Sequence, residues 1–344
     1  FEVAAELATF LDDADPKVRR LAMQAFLGRS LPRGITILLV NAVFDRDPEV
    51  ARLAEIVVPE AEIVHNLRRI ARDLEEGREI DFDEMSILAR SEQLGAEEKE
   101  RAFVAVLERL ADAPEGPKVE ELHRVLNIMR LEWRGEMGPT LWSALAHIVP
   151  FMKSELMQTD MVSLVGFKAR TSDAWVFIEA LLPVLDAGRA TALAELVISR
   201  CAPVVPSFVF KLIDCIDDER LAEEKRGLIL RTIPGIGMSR AAAEALAERS
   251  MDERLPPRLA KDALVSATAM TGPEGRIKFL TQALRAPAAV VRDYAASALE
   301  VLTGEPAARI LEKDQQAEQE KVVDLTDARR RRLAARTSKI ESDE

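Results

Sequence analysis

Asp15-Pro16-Lys17-Val18-Arg19, leading into Ala22 and Ala25, recurs 32 residues later as Asp47-Pro48-Glu49-Val50, leading into Arg52, Ala54 and Val57. A fixed offset of this size is the mark of a repeat architecture, in which one supersecondary unit is stacked on the next. A weaker third copy stands near the other end, at Val291-Arg292 with Ala295, Ala298 and Leu299.

The residues explain why each copy folds as it does. An aspartate at the helix start accepts hydrogen bonds from free backbone amides, and proline at the first helical position loses nothing by lacking an N–H. Val18, Leu21, Ala22 and Ala25 then fall on one helical face. Gly28 to Gly34 carries turn residues, Ile35 to Phe44 reads as a second helix or buried segment, and Asp47-Pro48 restarts the cycle. Small alanines let paired helices approach closely, and the arginine after the valine is placed to bridge to an acidic group in the neighbouring unit.

Asp13, Pro16, Val18, Arg19, Ala22 and Ala25 resemble the D-x-x-P-x-V-R-x-x-A-x-x-A pattern of HEAT repeats. The second copy keeps Pro48, Val50 and Ala54 with its arginine one place later at Arg52, and the third lacks the aspartate and proline in register. The resemblance implies an all-α fold, a right-handed α-solenoid of stacked antiparallel helix hairpins. Between the matching ends, Ser86–Leu94, Ala96–Ala111, Val119–Trp133, Pro139–Met152 and Thr171–Leu185 are predicted as helices from apolar spacing alone.

Four regions follow from this rhythm: N-terminal HEAT-like repeats over 1–150, an irregular helical middle over 151–205, C-terminal HEAT-like repeats over 206–311, and a polar, charged tail over 312–344. The middle holds Met152, Met157 and Met161 and shows no repeat consensus. The tail reads as a helical extension or as disorder.

Composition narrows the function classes. Apolar residues make up 48% of 344, enough for a sizeable core, while a net charge of −12 opposes bulk attraction to nucleic acid or to an anionic membrane. The most apolar early stretch, Ile35 to Phe44, falls well short of a bilayer span. Cys201 and Cys215 are the only cysteines, so no disulfide framework exists and a cytoplasmic setting is expected.

Catalytic and metal-binding signatures do not emerge from the sequence. His65, His123 and His147 lie far apart without metal-ligand spacing, which also sets the chain apart from helical-repeat metallo-oxygenases. Carboxylate pairs such as Asp12-Asp13 and Asp217-Asp218 fall where capping and solubility use charge. Ile233-Pro234-Gly235-Ile236-Gly237 resembles the turn of helix-hairpin-helix modules, in which backbone amides meet a phosphate, so Gly235, Ile236 and Gly237 form a phosphate-binding candidate. Glu244 and Glu248 follow it instead of a basic cluster, which favours an ordinary repeat turn.

The tail carries the partner-binding candidates: Val322, Val323 and Leu325, then Arg329, Arg330, Arg331 and Arg332. A stack of helical hairpins exposes an extended surface of the kind that binds extended partners. The expectation is a non-enzymatic scaffold or adaptor that binds another protein through its concave surface, with the tail as a second contact and no cofactor or metal. A nucleic-acid-binding HEAT-like protein is the runner-up, and a HEAT-like lyase comes third.

Overall fold

The computed structural model describes residues 2–29, 31–113 and 116–316, and every regular element within them is helical. Two compact units divide the chain, Phe1–Phe208 and Val209–Glu344.

The first unit contains α1 (Glu2–Thr9), α2 (Pro16–Gln24), α3 (Arg33–Leu39), α4 (Pro48–Val57), α5 (Glu60–Glu75), α6 (Phe82–Arg90), α7 (Ala96–Ala111), α8 (Val119–Glu132), α9 (Pro139–Ile148), α10 (Glu155–Lys168), α11 (Trp175–Val184) and α12 (Ala187–Leu196). Its packing is alternating. Helices α5, α7, α9 and α11 touch in succession to form one row, and α6, α8, α10 and α12 form another. The rows are joined by α5 on α6 and α7 on α8, while α2 on α4 and α1 on α3 begin the same pattern. From α7 to α12 each helix therefore rests on the helix two places before it.

Repeated residues start their helices by the same bonds. The Asp13 carboxylate accepts from Asp15 N at 2.8 Å and Asp45 accepts from Asp47 N at 2.7 Å. Asp15 in turn caps α2 by accepting from Lys17 N, and Asp47 caps α4 by accepting from Glu49 N and Val50 N. Arg19 donates from Nη1 to the carbonyls of Asp13 and Ala14, at 2.7 and 3.2 Å. Arg292, in the third copy, does the same to Ala286 and Pro287 at 2.7 and 2.6 Å. A clamp reaching six and five residues back is thus shared by the two ends of the chain.

Ile35 to Phe44 divides into the end of α3 and a short 3-10 segment, Val40–Phe44, whose Val40, Ala42, Val43 and Phe44 are buried. The methionine-rich stretch forms a continuous helix, α10, capped by Ser154 and burying Met157, Met161, Leu164 and Val165. Trp133, Trp142 and Trp175 are all core residues, with Trp142 against Phe177 and Trp175 against Phe208.

After α13 (Ser207–Asp214), the second unit contains α14 (Glu223–Thr232), α15 (Arg240–Arg249), α16 (Pro257–Ala269), α17 (Pro273–Ala283) and α18 (Ala289–Thr303). Helix α16 is its centre and packs on α14, α15, α17 and α18 through Leu259, Ala263, Leu264 and Ala267, all fully buried. Among the described residues no helix is long and apolar enough to cross a membrane.

Candidate functional site

Polar side chains in the first unit concentrate where successive helices of the α6–α12 row meet. The Ser86 hydroxyl of α6 donates to Glu132 of α8, and Arg90 Nε lies 3.2 Å from the same carboxylate. One repeat further, His123 Nε2 of α8 is 2.9 Å from Asp160 Oδ2 of α10, and Arg130 Nη2 is 3.3 Å from Asp160 Oδ1. Asn127 completes that group, with Nδ2 3.2 Å from His123 Nε2 while its Oδ1 accepts from Arg130 at 3.0 Å. Arg189 of α12 then reaches back to Glu155 at 2.9 Å and to the Thr159 hydroxyl at 3.4 Å. A polar seam so runs from α6 to α12.

A histidine beside a carboxylate is the raw material of acid/base chemistry, but a reacting group must also stand within hydrogen-bond reach. Here the Nε2 of His123 already faces both Asp160 and Asn127, and Asp160 is 8% exposed. The arrangement braces one helix on the next. Among the described residues no three histidine, cysteine, aspartate or glutamate side chains converge as a metal-binding group. Both cysteines are buried and neither forms a disulfide, and burial pushes the Cys201 thiol up, away from the thiolate that nucleophilic chemistry requires.

A second polar focus lies beneath Trp133. Lys99, only 4% exposed, donates from Nζ to the carbonyls of Arg134 at 2.8 Å and Ser91 at 3.0 Å, and it sits 4.5 Å from the Trp133 ring centroid. Burial pushes this ammonium down to about 8. Its neighbour Glu100 accepts from Gly138 N at 2.6 Å, and burial raises its carboxyl above the usual range against that bond. These are joints between α6, α7, α8 and α9, made by charged groups that satisfy backbone atoms at helix ends.

At the start of the chain a cleft of about 870 Å³ is bordered by Arg19, Asp45, Arg69, Asp83 and Arg90. Arg19 is held by Asp45, and Arg69 by Asp73 at 2.9 Å and Glu84 at 2.5 Å. Its arginines are therefore largely matched by carboxylates.

The structure places Gly235 and Ile236 in a short 3-10 turn, Ile233–Ile236, with Gly237 just after it at φ +84°. Only glycine takes that backbone without strain. The Gly237 amide donates to the Pro234 carbonyl at 3.0 Å, and Ser239 caps α15. Glu244 pairs with Arg240 at 2.9 Å beside a 550 Å³ cleft that includes Met238 and Phe279. The candidates Val322, Val323, Leu325 and Arg329 to Arg332 lie outside the described residues.

Sequence reading missed the His123–Asp160 pair because its partners are 37 residues apart and neither sits in a repeat motif. The signal that was available is the repeat length itself, since a residue one repeat further on is a packing neighbour. No family model matches the chain, and no curated protein matches it. Among solved structures, a crystal structure of an engineered protein from the Northeast Structural Genomics Consortium is similar at 15% identity over 92% of each chain, with a TM-score of 0.33.

Proposed function

We propose that this chain is a right-handed α-solenoid of HEAT-like repeats that serves in the cytoplasm as a non-enzymatic scaffold or adaptor for another protein, with the 312–344 tail as a second contact. The observation that carries the reading is the two-row packing of the first unit, in which α5, α7, α9 and α11 stack beside α6, α8, α10 and α12. Such stacking leaves long faces whose side chains are set one repeat apart, a geometry suited to extended partners. The conspicuous polar clusters link helices to each other, which favours a binding role over a lyase.

Co-purification from the native cells, with the full chain and with a form lacking residues 312–344, tests the reading. A stoichiometric protein partner that rebinds the purified chain supports it. Failure of any protein to co-purify reproducibly with either form overturns it, and recovery of nuclease-sensitive material alone would favour the nucleic-acid reading instead.

A further inference from the structure

Three exposed apolar residues recur at one-repeat intervals in the first unit: Leu131 at the end of α8, Phe167 at the end of α10 and Val204 just beyond α12, 36 and 37 residues apart. They are 68%, 53% and 56% exposed. Side chains of this size in a regular row on an acidic protein are a patch that calls for a cover.

Cations recur beside them, while the carboxylate that neighbours Leu131, Glu132, is already engaged by Ser86 and Arg90. Arg134 follows Leu131, Arg170 follows Phe167 and Arg200 precedes Val204. Arg200 lies over the Phe167 ring, 5.3 Å from its centroid. Arg170 donates to the Arg200 carbonyl at 3.2 Å and to the Gly166 carbonyl at 3.4 Å, and Lys168 donates to the Trp133 carbonyl at 2.7 Å. None of these contacts uses a carboxylate. The cations sense one another: burial lowers the Lys168 ammonium, and the charges of Arg134 and Arg170 add to that. In a chain of net charge −12 this is a local positive field with apolar side chains inside it.

We infer that Leu131, Phe167 and Val204, with Arg134, Arg170 and Arg200, form a docking face for an acidic, amphipathic segment of a partner protein. The inference rests on the scaffold reading and specifies its surface and ligand class. Packed helices stand about 8–10 Å apart, so three successive repeats span about 20 Å. A helical segment of about 13 residues covers that length at 1.5 Å per residue. Its apolar side chains would meet Leu131, Phe167 and Val204, and its carboxylates the three guanidiniums, the anchor-and-charge arrangement of helix-in-groove recognition. The guanidiniums set the sign of the ligand's charge, and the aliphatic side chains favour this occupant over a nucleic acid, because Leu131 and Val204 offer no ring on which a base can stack.

The test is fluorescence anisotropy of the full chain with a labelled peptide of about 18 residues, leucine on one helical face and glutamate elsewhere. A leucine-to-serine version of the peptide and a labelled oligothymidylate serve as comparison probes. We expect binding of the leucine peptide, weakened at least about tenfold by Arg134→Glu with Arg170→Glu and Arg200→Glu, and by a similar factor in the serine peptide. Leu131→Ser with Arg134→Glu alters exposed side chains only, so its expected loss of binding does not depend on the carbonyl bonds of Arg170.

Equal binding by these variants, equal binding of the serine peptide, preference for oligothymidylate, or no binding at all would each overturn the proposal. A natural partner that co-purifies and still binds both variants overturns this face while leaving the scaffold reading intact. Absence of any partner removes the scaffold reading itself.

Discussion

Arg19 grips Asp45 through two bonds, Nε to Oδ2 at 2.8 Å and Nη2 to Oδ1 at 3.0 Å, across one repeat. The same Asp45 oxygen that takes Nη2 also accepts from Asp47 N, and Asp47 starts α4, so the pair transmits the position of α2 to the next helix start. Both side chains are shielded, at 15% and 11% exposure. Removing one partner leaves the other shielded and without its counter-ion, though each keeps its bonds to the backbone. Arg19→Ala is expected to destabilise the first unit by about 1–3 kcal/mol, with part of the loss recovered when Asp45→Ala is added. All three tryptophans belong to that unit, so urea unfolding followed by tryptophan fluorescence reads it separately.

Asp47 provides an acid-side signature. Its hydrogen bonds from Arg20, at 2.9 and 2.5 Å, and those from Val50 N and Glu49 N hold its carboxyl down at about 2. A carboxylate lowered on folding adds stability that is complete above its unfolded value near 4 and disappears as pH falls through about 2. Asp47→Asn should flatten the loss of stability between those two pH values. An unchanged acid limb in thermal melts would show that the pair carries no net free energy.

Lys99 works in the opposite direction. Its ammonium is lowered to about 8 in the folded chain against about 10.4 unfolded, so between those values the unfolded state binds more protons and stability rises with pH. Below about 8 both states are protonated and the burial penalty is present in full. Lys99→Met should abolish the rise between about pH 8 and 10 in denaturant titrations, whatever its effect at pH 7.

Trp142 is fully buried against Phe177, with its indole N–H donating to the Met137 carbonyl at 2.9 Å. Trp142→Ala should cost about 3–5 kcal/mol in the same fluorescence assay, and Trp142→Phe less, since the ring is kept and one carbonyl loses its donor.

Gly138 tests a close approach. A Cβ built there would lie 2.5 Å from Glu100 Oε2, the carboxylate whose other oxygen accepts from the Gly138 amide. Gly138→Ala must displace that buried side chain and is expected to destabilise by about 1–3 kcal/mol, measured by urea unfolding. Glu100→Gln with Gly138 intact should cost less, because an amide oxygen still accepts the bond.

What was legible in the sequence was what the repeat writes locally. Asp15, Pro16 and Val18 specify a helix start within four residues, and the arginine after the valine does meet an acidic group of the next unit, Asp45. Ala96–Ala111 could be read to its end residues because Gly95 precedes it and apolar spacing runs through it. The α10 helix was harder, since its methionines pack as well as leucines would but carry no consensus. The seam of Arg90, Glu132, His123 and Asp160 was not legible, because each pair joins different repeats and the offsets between partners vary from 37 to 42 residues. Leu131, Phe167 and Val204 were hidden for the same reason: only burial distinguishes them from core residues of the same type.

Several ties between helices cover one repeat length, one of them the Lys168 bond described above. Lys168 reaches the Trp133 carbonyl, the Cys201 thiol the Val165 carbonyl and the Ser266 hydroxyl the Leu230 carbonyl, at sequence distances of 35, 36 and 36. Each joins a helix end to its counterpart one layer away and asks nothing of layers beyond. A layer held in this way depends on its neighbour alone. An insertion of half a layer between two such ends would take each carbonyl out of reach of the side chain that now satisfies it.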